Sequence, residues 1–228
     1  MNPELVYKNK LNSSTIFSFL NEAIDKFYKT RYSGINVKGE GFEQTQKRIN
    51  DLRTLVCTKC FSLKDGEIVE SNECLYKVSI PSDMVLLLGD TVGIQPTDQS
   101  NNCWGKDDTG DYIIKYNDPI ESSIETIDRQ LNNSLSEHKL KYNTAKPLRL
   151  IQNNEICLYT DGNYEIAKYV LKYLKKPDKL SHTDLTSEYT SLPEHTHMEI
   201  VKTAVQLYLA TKPMEHYSVY STEVNNME

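Results

Sequence analysis

Ser191-Leu192-Pro193-Glu194-His195-Thr196-His197-Met198-Glu199-Ile200-Val201-Lys202-Thr203-Ala204-Val205-Gln206-Leu207-Tyr208-Leu209 carries the clearest secondary-structure signal in the chain. Ser191 is placed to cap a helix, and Glu194, three residues on, to reach back to the capping residue's amide. Pro193 falls in the first turn, where a missing N–H leaves nothing unpaired. Ile200, Ala204, Leu207 and Tyr208 repeat at the 3.6-residue period and predict one apolar stripe.

Working outward, the same period appears near the start. A helix is expected from Ser13 or Ser14 to about Tyr32, with Ile16, Phe17, Leu20, Ala23, Ile24, Phe27 and Tyr28 on its buried face. Lys26, Lys29 and Arg31 crowd its C-terminal end, where cations suit the helix dipole, and Gly34 breaks it. After a loop through Gly39 and Gly41, a second helix is expected from Phe42 to about Val56. Phe42, Ile49, Leu52 and Val56 would face inward, and Lys47, Arg48 and Arg53 water. Two helices joined by a short loop predict an antiparallel pair.

Between Cys57 and about Pro177 the period becomes two. Strands are expected at 67–69, 73–80, 85–88, 112–116, 148–151, 156–160 and 164–174. Asp65-Gly66 and Asp161-Gly162 lie between alternating runs and predict hairpins. On the strand after the second turn, Tyr169, Leu171 and Tyr173 share a face, and Lys175-Lys176-Pro177 ends it. The stretch 97–110 reads as a loop. Ile120, Ile124, Ile127 and Leu131 allow a short helix within 119–146. After Pro213 the tail has no period and is expected to stay extended until a partner orders it.

The expected fold is therefore α+β: a small antiparallel helical bundle, two N-terminal helices plus a C-terminal helix, with a β-rich insertion. Its parts are a helical pair over 1–56, the insertion over 57–177, a linker and bundle helix over 178–212, and an extended tail over 213–228.

The 228 residues carry a formal charge of −6, unevenly laid out. Residues 1–56 hold nine Lys/Arg against six Asp/Glu, and 83–137 hold three against eleven. Residues 138–182 swing back to nine against four, and 183–228 end at two against seven. This alternation lacks the net basic face of a nucleic-acid binder and suits a molecule that meets copies of itself or a partner through complementary fields. Tyr outnumbers Phe by 15 to 5, a bias shared by contact surfaces and by strands. Met1–Asn12 is polar and charged, so no signal peptide is expected, and no apolar run approaches the roughly 18 residues of a membrane span. Five cysteines, an odd number, fit free thiols in a reducing cytoplasm.

Chemistry is thinly represented. Cys57-Thr58-Lys59-Cys60 is half a zinc site, but Cys74, Cys103 and the scattered histidines supply no matching second pair. His195 and His197, two apart on a helix, point about 200° away from each other and cannot share an ion. Asp107, Asp108 and Asp111 lack the spacing of a calcium loop. No phosphate loop, serine elbow or convincing carboxylate pair appears. No enzyme, cofactor or metal is expected.

The order of these parts resembles the adaptor, or head-to-tail connector, proteins of tailed bacteriophages, and more sharply the tail ring proteins of crAss-like podoviral phages. The segments that carry the resemblance are Leu20-Asn21-Glu22-Ala23, Phe27-Tyr28-Lys29-Thr30-Arg31-Tyr32-Ser33-Gly34 and Gly41-Phe42-Glu43-Gln44-Thr45-Gln46-Lys47-Arg48-Ile49-Asn50-Asp51-Leu52-Arg53. Tyr173-Leu174-Lys175-Lys176-Pro177 and Leu192-Pro193-Glu194-His195-Thr196-His197-Met198-Glu199-Ile200-Val201 complete them. The resemblance implies a virion structural protein, assembled in the host cytoplasm into a homo-oligomeric ring of about twelve subunits (a homododecamer). It would act as a connector between the portal protein and further tail ring or hub proteins, with genomic DNA in transit through the lumen and no membrane contact. An acidic stretch at 83–137 would suit the lumen, because duplex DNA is repelled by like charge. Lys29, Arg31, Tyr32, Lys175, Lys176, Tyr217 and Tyr220 are the candidate interface residues. A β-rich ligand- or receptor-binding module of a virion stays open as the alternative, served by the aromatic-rich strands of 156–174. A metal-dependent hydrolase built on Cys57 and Cys60 lacks ligand geometry.

Overall fold

A computed structural model describes residues 12–33, 45–72, 74–97, 104–108, 110–140, 144–181, 183 and 188–211. The chain divides into two compact units, one made of 1–56 with 176–228 and the other of 57–175.

The fold is α+β, but it is not a helical bundle with an insertion. Nine strands form two sheets, and four α-helices are present among the described residues. The helices are not distributed as two N-terminal and one C-terminal. They are α1 (Ser13–Ser33), α2 (Gln46–Leu52), α3 (Ile127–Asn132) and α4 (Glu194–Ala210), so one lies among the strands. The second helix is also much shorter than expected. It spans seven residues and tightens at once into a 3-10 turn, Arg53–Leu55, too little length to serve as a bundle member. Its expected start at Phe42, and the glycines at 34, 39 and 41, lie outside the described residues.

In the first unit α1 and α4 run antiparallel. The Phe19 ring meets Tyr208 edge-on at 5.7 Å near one end, and Arg31 reaches Glu199 near the other. Ala23, Ile24, Phe27 and Tyr28 form the buried face of α1, whereas Ile16 is exposed and Phe17 and Leu20 are half-buried. Ser191 does not cap α4. Pro193 occupies the N-cap position, and Ser191 instead accepts the Asp178 N–H at 3.2 Å and donates to the Asp178 carboxylate. Asn21 clamps the same approach segment, taking the Leu180 N–H at 2.8 Å and giving its amide to the Leu180 carbonyl at 3.0 Å.

The second unit is a two-sheet layer structure. Sheet A has the order β1 (Val56–Ser62), β9 (Tyr164–Lys175), β4 (Met84–Pro96), β5 (Lys115–Asn117). Sheet B has the order β2 (Ile68–Asn72), β3 (Leu75–Ser79), β8 (Glu155–Tyr159), β7 (Leu148–Gln152), β6 (Ile120–Glu121). Tyr76 and Val78, Ile156 and Leu158, Val92 and Ile94, and Tyr169 and Leu171 fill a shared core between the sheets. The opposite face of sheet B packs Leu148, Leu150 and Cys157 against Ile127 of α3. Strand β8 is therefore buried on both sides, which explains its unbroken apolar run, Ile156-Cys157-Leu158.

Both expected turns exist, but neither is a hairpin. Gly66 (φ 74°) and Gly162 (φ 83°) take the left-handed conformation, yet β1 and β2 belong to different sheets, as do β8 and β9. Each turn carries the chain from one sheet to the other. Asn153-Asn154 makes a tight hairpin between β7 and β8, where both residues have positive φ (50° and 62°), the pattern of a type I′ turn. Strand β4 runs thirteen residues rather than the four expected at 85–88, passing through Gly89 and Gly93 with irregular register near each. At Gly93 a Cβ would lie 2.7 Å from Ile114 Cγ2, so glycine is required by a close approach and does not end the strand.

Candidate assembly surfaces and the polar junction beneath them

Position 48 begins a helical face of α2 and its 3-10 turn that runs through 51, 52 and 55: Arg48, Asp51, Leu52 and Leu55 are all buried. The inward face is thus rotated from the expected one. Arg48 is buried instead of wet, Val56 is exposed, and Ile49 is half-buried. Two ionic residues point inward because α1 and α4 bring partners to meet them.

Arg31 is the hub. Its Nε donates to Asp51 Oδ2 at 2.9 Å, its Nη2 pairs with Glu199, and its guanidinium lies 4.9 Å from the Phe27 ring centre. Arg48 donates to the carbonyls of Thr30 at 3.2 Å and Arg31 at 3.4 Å, satisfying acceptors that the end of α1 leaves open. His195 Nε2 lies 2.9 Å from Asp51 Oδ1. Burial holds the Glu199 carboxyl above its ordinary range, with Arg31 pulling the other way. Two arginines and two carboxylates balance, so α1, α2 and α4 are joined by a neutral, hydrogen-bonded junction.

The outward faces of α1 and α4 differ sharply. On α4, Met198, Val201 and Val205 are exposed (66%, 44% and 40%), while Thr196, Thr203 and Gln206 are buried. The helix is thus apolar on its outward side as well as its inward one, and it departs from the expected stripe: Ile200 and Ala204 are buried, but Leu207 and Tyr208 are half-exposed. The three apolar residues and exposed Glu194 lie on one side of the helix at 100° per residue. On α1 the exposed ridge is Thr15, Ser18, Glu22, Lys26 and Lys29, opposite the buried face.

In the second unit, Asp90 of β4 accepts from Arg149 of β7 and, at 2.7 Å, from the Tyr169 hydroxyl of β9, tying sheet A to sheet B through the core. Burial raises the Asp90 carboxyl, against the pull of Tyr169 and Arg149, and burial also raises Tyr169. A groove of about 980 Å³ crosses sheet A, with Gln95, Glu165 and Lys168 among its lining residues, together with Tyr112 of the preceding loop and Tyr116 of β5.

Cys57 and Cys60 stand three apart on β1 and so point to opposite faces, one against the core and the other exposed. His195 serves Asp51, and His197 Nε2 lies 3.1 Å from the Leu192 carbonyl. Asp107 accepts the Asp111 N–H at 3.0 Å within its loop. Among the described residues, no group of three or more His, Cys, Asp or Glu could hold a metal ion. Cys103 lies outside them.

Residues 9–218 match the family of crAss-like phages described as phage tail ring protein 3/4. The chain belongs to that family.

As a phage tail ring protein it is a structural component of the virion tail. No curated protein matches the chain. Of the residues expected at interfaces, Lys29 is exposed on α1, with its Nζ 5.9 Å from the Tyr28 ring centre, and Tyr32 is half-buried. Arg31 is buried in the junction. Lys175 is half-buried at the end of β9, and Lys176 is exposed. Tyr217 and Tyr220 lie outside the described residues, as does the rest of 212–228. No helix among the described residues of this ring protein is long and apolar enough to cross a membrane. Sequence reading missed Asp51 and Glu199 as partners of Arg31. The signal available was the face shared by 48, 51, 52 and 55 on α2, which a search for apolar residues alone passes over.

Proposed function

We propose that the chain forms a homo-oligomeric ring of about twelve copies that connects portal and tail, with the genome passing through its lumen. The observation that carries this reading is the family match over 9–218, which spans both compact units. The ring assembles in the host cytoplasm, binds the portal on one side and further tail ring or hub proteins on the other, and touches DNA only in transit. The parts divide the work: helices of 1–56, a β-rich body over 57–177, a linker and C-terminal helix over 178–212, and a tail over 213–228 that reaches a neighbouring copy. Stretch 83–137, with eleven acidic against three basic residues, lines the lumen and keeps duplex DNA from adhering. Lys29, Tyr32, Lys175, Lys176, Tyr217 and Tyr220 make contacts between proteins, and Arg31 acts from beneath by holding the helix that carries Lys29 and Tyr32.

The test is the mass of the purified chain, alone and with portal, by light scattering and electron microscopy. Rings, or a complex with portal in multiple copies, support the reading; a chain that stays monomeric with portal present sinks it. The groove on sheet A favours a second reading, a ligand-binding module on the tail. Binding of that monomer to host glycans would select it.

A further inference from the structure

We propose that the outward face of α4 docks antiparallel onto the outward face of α1 of the next copy, and that this contact propagates the ring. The inference rests on the ring reading and names the surface that builds it. A closed ring of identical chains needs two unlike faces per copy that fit one another. Unit 1 presents two such exposed faces. One is the apolar stripe Met198, Val201, Val205, and the other is the ridge Thr15, Ser18, Glu22, Lys26, Lys29.

Charge and spacing fit them in one register. Glu194 to Val205 and Lys29 to Ser18 each span eleven residues, so antiparallel helices bring Glu194 to Lys29 at one end and Val205 to Ser18 at the other. Midway, Val201 meets the aliphatic stem of Glu22. Met198 lies along the aliphatic stem of Lys26, and small Ser18 and Thr15 let the backbones approach. The orientation also repeats. Within a copy α1 and α4 are antiparallel, and adding the neighbour's α4 to the free side of α1 repeats the alternation about a single axis. Exposed apolar side chains thereby leave water, which gives the outward apolar stripe of α4 a cause.

Disulfide trapping in the tails of purified virions tests the contact, using the full chain with Ser18→Cys and Val205→Cys together. A bond formed within one copy leaves the chain at monomer mobility, whereas a bond between copies joins them. The expected result is a ladder of dimers, trimers and higher multiples on a non-reducing gel, absent from either single variant and abolished by reductant. Those single variants also report the background from exposed Cys60 and Cys74. Adding Glu194→Lys should remove the ladder, and adding Lys29→Glu to that should restore it. A product that stops at dimers, or a pattern matching the single variants, overturns the proposal. A lysine-reactive crosslinker on the same particles separates the two levels: oligomers with that reagent but not by disulfide refute this contact alone, and oligomers with neither refute the ring. Val201→Glu needs no cysteines. It should leave the helix content and unfolding midpoint of the isolated chain unchanged while excluding it from particles; incorporation at the wild-type level overturns the proposal.

Discussion

Arg31 and Asp51, twenty residues apart in sequence, meet at 2.9 Å with each side chain 1% exposed. Neither charge would be stable there alone. Asp51 also lies 2.9 Å from His195, and Arg31 also holds Glu199, so three helices converge on one pair.

Removing one partner should therefore be far costlier than removing all of them. Arg31→Ala is expected to destabilise the helical unit by about 3–5 kcal/mol, because buried Asp51 and partly buried Glu199 lose their cation. Replacing Arg31, Asp51 and Glu199 together by Met, Leu and Leu should recover most of that loss. Urea unfolding followed by far-ultraviolet circular dichroism measures both. Equal losses in the single and triple variants would mean that the helices are held by apolar contacts alone.

The same logic applies across the sandwich. Tyr169→Phe removes one hydrogen bond to the Asp90 carboxylate and should cost about 1–3 kcal/mol. Arg149→Met leaves Asp90 buried without its cation and should cost more. A double-mutant cycle between positions 149 and 169 should show coupling, since both donate to the same carboxylate. Additive losses would show that the two donors act independently.

Acid should weaken the β unit through His138. The residue is buried, its Nδ1 is 2.8 Å from Ser136 Oγ, and burial lowers its pKa. The folded state thus binds fewer protons than the unfolded chain, so stability falls as pH drops below about 6.5, by at most about 1.4 kcal/mol per pH unit. Glu199 and Asp90 act in the opposite sense. Their raised values make stability fall as pH rises through and above the ordinary carboxylate range. Melting temperatures of His138→Gln between pH 5 and 7 should be flatter than those of the wild type. Parallel curves would remove His138 as the source.

Turn chemistry gives a prediction of opposite sign at one site. Asn154 has φ 62°, so Asn154→Gly should be neutral or stabilising, whereas Asn154→Val should cost about 1 kcal/mol or more from backbone strain alone. Thermal melts of the two variants decide it. Similar midpoints would argue against a left-handed residue in this turn.

Much of the local structure was legible. The period of α1, the alternation of β9 with Tyr169, Leu171 and Tyr173 inside, and the positions of the two glycine turns could all be read, because each depends on neighbours a few residues away. Reading failed where a partner came from far along the chain. Arg48 and Asp51 look solvated until α1 and α4 supply Thr30, Arg31 and His195. Gly89 and Gly93 look like breakers until β9 pairs alongside and Ile114 closes over Gly93. Met198, Val201 and Val205 are as apolar as their buried neighbours, so composition could not say which side of α4 faces the unit.

By itself the sequence determined where α1 and α4 lie, that the middle is β-rich, and, through the order of its segments, the family. Tertiary structure alone decided that the β region is two packed sheets with both glycine turns crossing between them. A turn dipeptide dictates a reversal of direction but not the strand that will pair. It also decided that the helices form no bundle. Burying Arg31, Arg48 and Asp51 is tolerable only when opposite charges and helix-end carbonyls arrive together, a condition set in space that no local pattern records.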